Sequence, residues 1–169
     1  MPMIEGLPFA VRRATEEDAA ALGRLGAALL RTHHGFDRRR FMAPGRNPEA
    51  GYASFLRTQL HDEDVVVLVA EREGEVIGYV YAGLEPESWK DLREAAGFIH
   101  DVVVEEAGRR TGVATALIDA AVEWLRGRGA PRVVLSTAAP NEAARRLFER
   151  LGFRQTMIEM TKELDPGAG

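Results

Sequence analysis

The chain contains no cysteine. Disulfide frameworks, thiolate zinc sites, cysteine nucleophiles and iron–sulfur clusters are therefore excluded. Lysine is scarce as well: Lys90 and Lys162 are the only ones, within a combined Lys and Arg count of 22. No apolar run approaches the roughly 20 residues that span a bilayer. Met1-Pro2-Met3-Ile4-Glu5-Gly6 has neither the basic leader nor the apolar core of a secretory signal. These absences predict a cytoplasmic protein with no membrane partner. A formal net charge of −4 argues against nucleic acid as a partner. What is present is 169 residues, 46% hydrophobic and 28% charged. That is one domain over 1–169, with a core from about 9 to 164 and a disordered tail over 165–169 as the expectation. A chain this long buries roughly two-thirds of its unfolded surface, so it needs no metal or disulfide staple.

Hydrophobic spacing and punctuation predict the elements. Phe9 to Arg13 reads as a strand, and Thr15 with Asp18 as a helix start. Leu22, Leu25, Leu29 and Leu30 give that helix an apolar face. A second helix follows the Pro44-Gly45 and Asn47-Pro48 punctuation, with Tyr52, Phe55, Leu56 and Leu60 facing inward. Val65 to Ala70 and Val76 to Tyr81 read as a hairpin, and Phe98 to Val104 as a third strand of that group. A helix is expected from about Gly112 to Arg126, a strand over Arg132–Thr137, a helix over Asn141–Leu151 and a last strand over Phe153–Leu164. A hairpin mixed with βαβ-like crossovers implies an α/β fold, a mixed sheet with helices on both faces.

The segment Val104-Glu105-Glu106-Ala107-Gly108-Arg109-Arg110-Thr111-Gly112-Val113-Ala114 joins a buried strand to an amphipathic helix. A helix start offers unpartnered backbone N–H groups and a positive dipole end. Small residues at Gly112 and Ala114 let a pyrophosphate reach them. Arg109 and Arg110 add charge at the rim, and Thr111 is placed to cap the helix. An ordinary strand-to-helix turn is the plain alternative. The turn is neither G-x-G-x-x-G nor a P-loop.

Arg109-Arg110-Thr111-Gly112-Val113-Ala114 matches the Q/R-x-x-G-x-G/A turn of the GCN5-related N-acetyltransferases, which the chain resembles. A second segment, Asn141-Glu142-Ala143-Ala144-Arg145-Arg146-Leu147-Phe148-Glu149-Arg150-Leu151-Gly152-Phe153, resembles that family's N-x-x-A-x-x-L-Y-x-x-x-G-F. The resemblance runs from about Phe9 to Leu164. It implies the acyl-CoA N-acyltransferase fold, with about six to seven strands and about four helices. It implies acetyl-CoA as co-substrate and no metal. It implies pantetheine on Val102, Val103 and Val104, and pyrophosphate on the backbone of Arg109, Arg110, Thr111, Gly112, Val113 and Ala114. Asn141 would lie beside the pantetheine or the sulfur, and Phe148 takes the place of the family's thiol-protonating tyrosine. A homodimer is a further implication.

Direct transfer to an amine needs a base, because an alkylamine with a pKa near 10 is protonated at neutral pH. The resemblance implies a carboxylate base on the strand before the phosphate turn; Asp101 stands there and is the favoured candidate, with adjacent His100 the second. Since strand neighbours alternate faces, one of the two is expected at the acceptor pocket. The competing reading of Asp101 is a strand-end carboxylate paired with an arginine; that of His100 is a half-buried polar residue. Tyr79 or Tyr81 is a substitute thiol acid, or a core residue. Asp62-Glu63-Asp64 with Glu85 and Glu87 suits a polyamine or aminoglycoside, whereas Arg38-Arg39-Arg40 with Arg46 suits a carboxylate. Each set also reads as surface charge. Trp89 walls the pocket or packs under its loop. His33-His34 has no third metal ligand at a useful spacing. The functional expectation is acetyl-CoA-dependent N-acetylation of a small-molecule or peptide amine. The alternative is a CoA-binding but catalytically weak sensor or partner module, motivated by Phe148.

Overall fold

The computed structural model describes residues 8–165; residues 1–7 and 166–169 lie outside it. Among the described residues the sheet has five strands: β1 (Ala10–Arg13), β2 (Val65–Arg72), β3 (Glu75–Glu85), β4 (Ala96–Val104) and β5 (Val133–Leu135). They lie in the order β1-β2-β3-β4-β5, antiparallel except for the parallel β4–β5 pair. The helices are α1 (Ala19–Phe36), α2 (Pro48–Gln59), α3 (Val113–Gly127) and α4 (Glu142–Arg150). None is long and apolar enough to cross a membrane.

Alternation along the buried strands splits the core into two layers. Val66, Leu68, Ala70, Ile77, Val80, Ala82 and Ile99 meet Val113, Leu117, Ile118, Ala121 and Leu125 of α3. Val67, Val69, Tyr79 and Val103 meet Leu22, Leu25 and Leu56 of α1 and α2. Each fully buried aliphatic side chain stabilises the fold by roughly 1.5–3 kcal/mol. Between β2 and β3, Glu73 (φ 53°) and Gly74 (φ 82°) form a turn with two positive φ angles, the twist a tight hairpin requires. The strands therefore extend into the polar connection expected between them.

Ahead of α1, the Asp18 carboxylate accepts the Thr15 N–H at 2.8 Å and a hydrogen bond from Arg12 at 2.8 Å. Arg12 also reaches Glu71. The Arg12 hydrogen bond outweighs burial and holds the Asp18 carboxyl below its usual range. On α1, a Cβ on Gly26 would lie 2.1 Å from Tyr52 Cδ1, and one on Gly23 would lie 2.4 Å from the Glu49 carbonyl. Both glycines let α2 settle directly on the α1 backbone.

Three expectations change. The strand expected over Phe153–Leu164 is irregular chain, so the sheet has fewer strands than six to seven. Alternating side chains favour a strand there, but the ladder also needs a partner edge to take its backbone groups. Phe55, expected to face in, is 45% exposed, although its ring edges onto Tyr52 and Tyr81. Trp89 is 87% exposed and packs under nothing.

Candidate active site

β4 outruns its parallel partner. The β4–β5 ladder ends at Ile99 and Leu135, while β4 continues to Val104. Over Val102, Val103 and Val104 the edge turned toward β5 therefore has no ladder partner among the described residues, and the sheet opens. At roughly 3.3 Å per residue, Asp101 and Val104 are about 10 Å apart along this edge.

The far end of the edge is the glycine-containing turn. After a short 3-10 turn at Glu106–Gly108, Arg110 takes φ 63° and Gly112 takes φ 83°. The first bond of α3 runs from Ala116 N–H to the Gly112 carbonyl at 3.0 Å. The N–H groups of Val113, Ala114 and Thr115 thus precede any helical acceptor. Gly112 brings no side chain to cap them, and a Cβ there would meet nothing within 4 Å. Arg109, Arg110, Thr111 and Gly112 are all exposed. The Thr111 hydroxyl, expected to cap α3, donates instead to the Gly108 carbonyl inside the turn. This is an open, electropositive helix start suited to a phosphate.

At the near end stands Asp101. Tyr52 of α2 and Tyr79 of β3 donate their phenolic hydrogens to Asp101 Oδ2 at 2.7 and 2.9 Å. Its partners are thus tyrosines, where the alternative reading expected an arginine. Burial pushes the Asp101 carboxyl above its ordinary range, against the pull of the two phenols and of His100 and His33. Burial, with the nearby carboxylate, drives both tyrosines well above the usual phenol range. Tyr79 is fully buried and Tyr81 donates to Gln59 Oε1 at 3.0 Å, so both hydroxyls are engaged.

Adjacent residues do not alternate at this point. Tyr81 pairs with Asp101 and Ala82 with Ile99, leaving His100 as the extra residue of a β-bulge. The His100 ring lies 4.7 Å from that of Tyr81, on the same helical-hairpin side as Asp101. It stacks on Phe98, and its Nε2 is 3.2 Å from Glu85 Oε1. The rule that only one of the pair can face this side fails because of the bulge. A cleft of about 330 Å³ opens beside His100, lined by Glu85, Asp91, Arg93, Phe98, Ile99, His100 and Ser136; Asp101 is not among its lining residues.

Asn141 caps α4, its Oδ1 accepting the Ala144 N–H at 3.2 Å. Half-buried Phe148 packs edge-on against Phe153. Arg40 pairs with Glu159, and Asp64 with Arg128, so each charged set spends a member on a surface pair. His33 and His34 each place a ring nitrogen on a backbone carbonyl. Sequence reasoning missed the roles of Tyr52 and Tyr79. Both look like core aromatics by spacing, and only tertiary packing brings them onto one carboxylate.

The model of the acetyltransferase (GNAT) family matches residues 31–153. The chain is 29% identical to the uncharacterized N-acetyltransferase YhfO of Bacillus subtilis, over 86% of this chain and 89% of that protein. It is 27% identical to an aminoglycoside N(6')-acetyltransferase type 1 of Klebsiella aerogenes, over 61% and 68% of the two chains. Among solved structures, a tetramutant of the BH1408 protein from Bacillus halodurans has a TM-score of 0.77 at 23% identity, covering 91% of this chain and 99% of that one. The aminoglycoside N-acetyltransferase AAC(6')-Iy in complex with CoA has a TM-score of 0.72 at 18% identity, covering 96% and 98%. At such identities these structures speak for the fold. The family match covers most of the chain and contains both the open strand edge and the helix start that follows it: the protein belongs to the GNAT acetyltransferase family.

Proposed function

We propose that the protein is an acetyl-CoA-dependent N-acetyltransferase that moves the acetyl group directly to a primary amine of a small molecule or peptide. The observation that carries this reading is one strand, β4, with a half-buried carboxylate at the head of its open edge and three unpartnered amides beyond its end. With no cysteine in the chain, an acyl-enzyme step would lack its thiol nucleophile.

The residues fit acetyl-CoA. The main chain of Val102, Val103 and Val104 takes the pantetheine as an added strand. The amides from Arg109 to Ala114, with the Arg109 and Arg110 charges, take the pyrophosphate. Asn141 has already used Oδ1 as a cap, so its Nδ2 is the group offered to the pantetheine. The co-substrate supplies an activated acetyl thioester. A strand N–H at Val102 or Val103 polarises the thioester carbonyl and holds the negative charge that develops on its oxygen.

Asp101 is the general base. Both phenols bond to Oδ2, which leaves Oδ1 to take a proton from the acceptor ammonium. A carboxylate raised above its ordinary range is a stronger base for that task. His100 lines the acceptor cleft with Glu85 and Asp91, two carboxylates against the one cation Arg93, a balance that favours a cationic acceptor. Phe148 offers no proton, so the departing thiolate, with a pKa of about 8.5, would receive through water the second proton that the attacking nitrogen sheds. We further propose that the chain acts as one domain, in the cytoplasm and as a homodimer.

Phe148 also favours a second reading, a module that binds the cofactor and catalyses weakly. Calorimetric titration with acetyl-CoA, with NAD as control, followed by thiol-release assays over amines and peptides, separates the two. Selective binding with amine-dependent thiol release supports the enzyme. Binding without release supports the module, and no binding overturns both. Phe148→Tyr raises turnover if the missing acid limits the rate, and leaves it unchanged if the thiolate departs unaided.

A further inference from the structure

A continuous row of rings runs from α2 across the sheet to the cleft beside His100. Tyr52 and Phe55 of α2 meet edge-on at 6.0 Å, and Phe55 meets Tyr81 of β3 edge-on at 5.8 Å. Tyr81 lies 4.7 Å from His100 of β4, and His100 stacks on Phe98 at 5.8 Å. The Arg93 guanidinium closes the row, 4.7 Å from the Phe98 centroid. Core packing would bury such a row, as it buries Tyr79 at 0% exposure. None of these five rings is buried, and Phe98 and His100 line the cleft. The other end of the row is Tyr52, which holds Asp101.

The charged groups of the cleft are already engaged. Arg93 donates to the carbonyls of Glu94 and Pro86 at 2.7 and 3.1 Å. Asp91 Oδ2 accepts the Ser88 hydroxyl at 2.8 Å, and Glu85 Oε1 stands 3.2 Å from His100 Nε2. Two carboxylates against one guanidinium leave a balance of one negative charge. A single ammonium cancels it, whereas a molecule with several ammonium groups sets its surplus charge against Arg93. At about 330 Å³ the cleft is small for a ligand site, near the bottom of the roughly 300–1,000 Å³ range. It suits one ring and not the linked sugars of an aminoglycoside.

We infer that the acceptor is a monoamine with its ammonium on a short arm from an aromatic ring, and that Phe98 and His100 hold that ring while the arm runs along the row toward Asp101. This inference rests on the acetyl-transfer reading and narrows it. Rings attract one another through their quadrupoles as well as through buried area, so an aromatic body gains a contact here that a saturated body of the same size lacks. A free arylalkylamine and the amino terminus of a peptide that begins with an aromatic residue share this chemistry.

Calorimetry on the protein saturated with CoA reads acceptor binding without turnover. Phenethylamine is expected to bind about 3- to 10-fold more tightly than 2-cyclohexylethylamine, its saturated counterpart, and more tightly than putrescine or kanamycin. Phenylalanyl-glycine amide is the peptide arm, and the tighter of it and phenethylamine names the source. Phe98→Leu should erase the preference for the aromatic ring and Phe98→Tyr should keep it, with acetyl-CoA bound alike by all three proteins. The comparison of the two ring amines on the wild type needs no variant. No preference for the aromatic ring there, or a preference that survives Phe98→Leu, overturns the inference. Thiol release from acetyl-CoA separates this inference from the reading beneath it. Release with aliphatic amines and no preference for phenethylamine keeps the enzyme and removes this acceptor. Ring-selective binding with no release from any amine keeps the site and removes the transfer.

Discussion

At the scale of single residues, the proposed chemistry rests on Asp101. Its two tyrosine donors come from α2 and β3, and their hydrogen bonds lower a carboxyl that burial raises. Burial wins, so kcat/KM is expected to fall as pH drops through a pKa above the ordinary carboxylate value of about 3.9. The sign for stability is opposite to that of a salt-bridged acid. Between its unfolded and folded pKa values the folded state binds more protons, so this group's contribution is lost as pH rises through that window. Asp101→Asn removes the buried charge and keeps an acceptor for both phenols. Turnover is expected to fall roughly 100- to 10,000-fold, while the melting temperature at neutral pH holds or rises. A fall in melting temperature with activity retained would make Asp101 a structural residue. Its candidacy came from the family resemblance, which implies a carboxylate base on the strand before the phosphate turn. The bulge that turns His100 to the same side was not, because a bulge depends on the register of the neighbouring strand.

Two elements place that residue and its ligand surface: the α1–α2 hairpin and the turn into α3. Tyr52 reaches Asp101 because Gly26 leaves room for its ring. Gly26→Ala puts a methyl where the Tyr52 ring lies, and is expected to cost about 1–3 kcal/mol of stability as overpacking. It should also lower kcat, with little change in the dissociation constant of acetyl-CoA. Unchanged melting and kinetics would show that the hairpin adjusts without cost. At the turn, Gly112→Asp adds negative charge beside the free amides of α3, in space that is open. Calorimetry is expected to show no acetyl-CoA binding, with circular dichroism unchanged; retained micromolar binding would contradict the assignment of the turn. This turn was readable from sequence because local geometry and small residues define it. Gly26 was not, since nothing local says which helix will lie across it.

For the whole molecule, hydrophobic period and glycine punctuation anticipated the β2–β3 hairpin, the α3 crossover between β4 and β5, the helix α4 and the mixed sheet. These elements bury their own apolar faces within one chain, so pattern and structure agree. The 154–164 arm breaks that agreement. Its pattern is that of a strand, yet a strand needs a partner edge for its backbone groups, and alternation along one segment does not supply that edge. The central claim is that this chain transfers an acetyl group to an amine, with Asp101 as base. Thiol release from acetyl-CoA, measured for the wild type and Asp101→Asn across polyamines, aminoglycosides, amino acids and peptides, tests it most directly. The account predicts amine-dependent release by the wild type and its near loss in the variant. Equal rates for the two proteins, or no release with any amine, would contradict it.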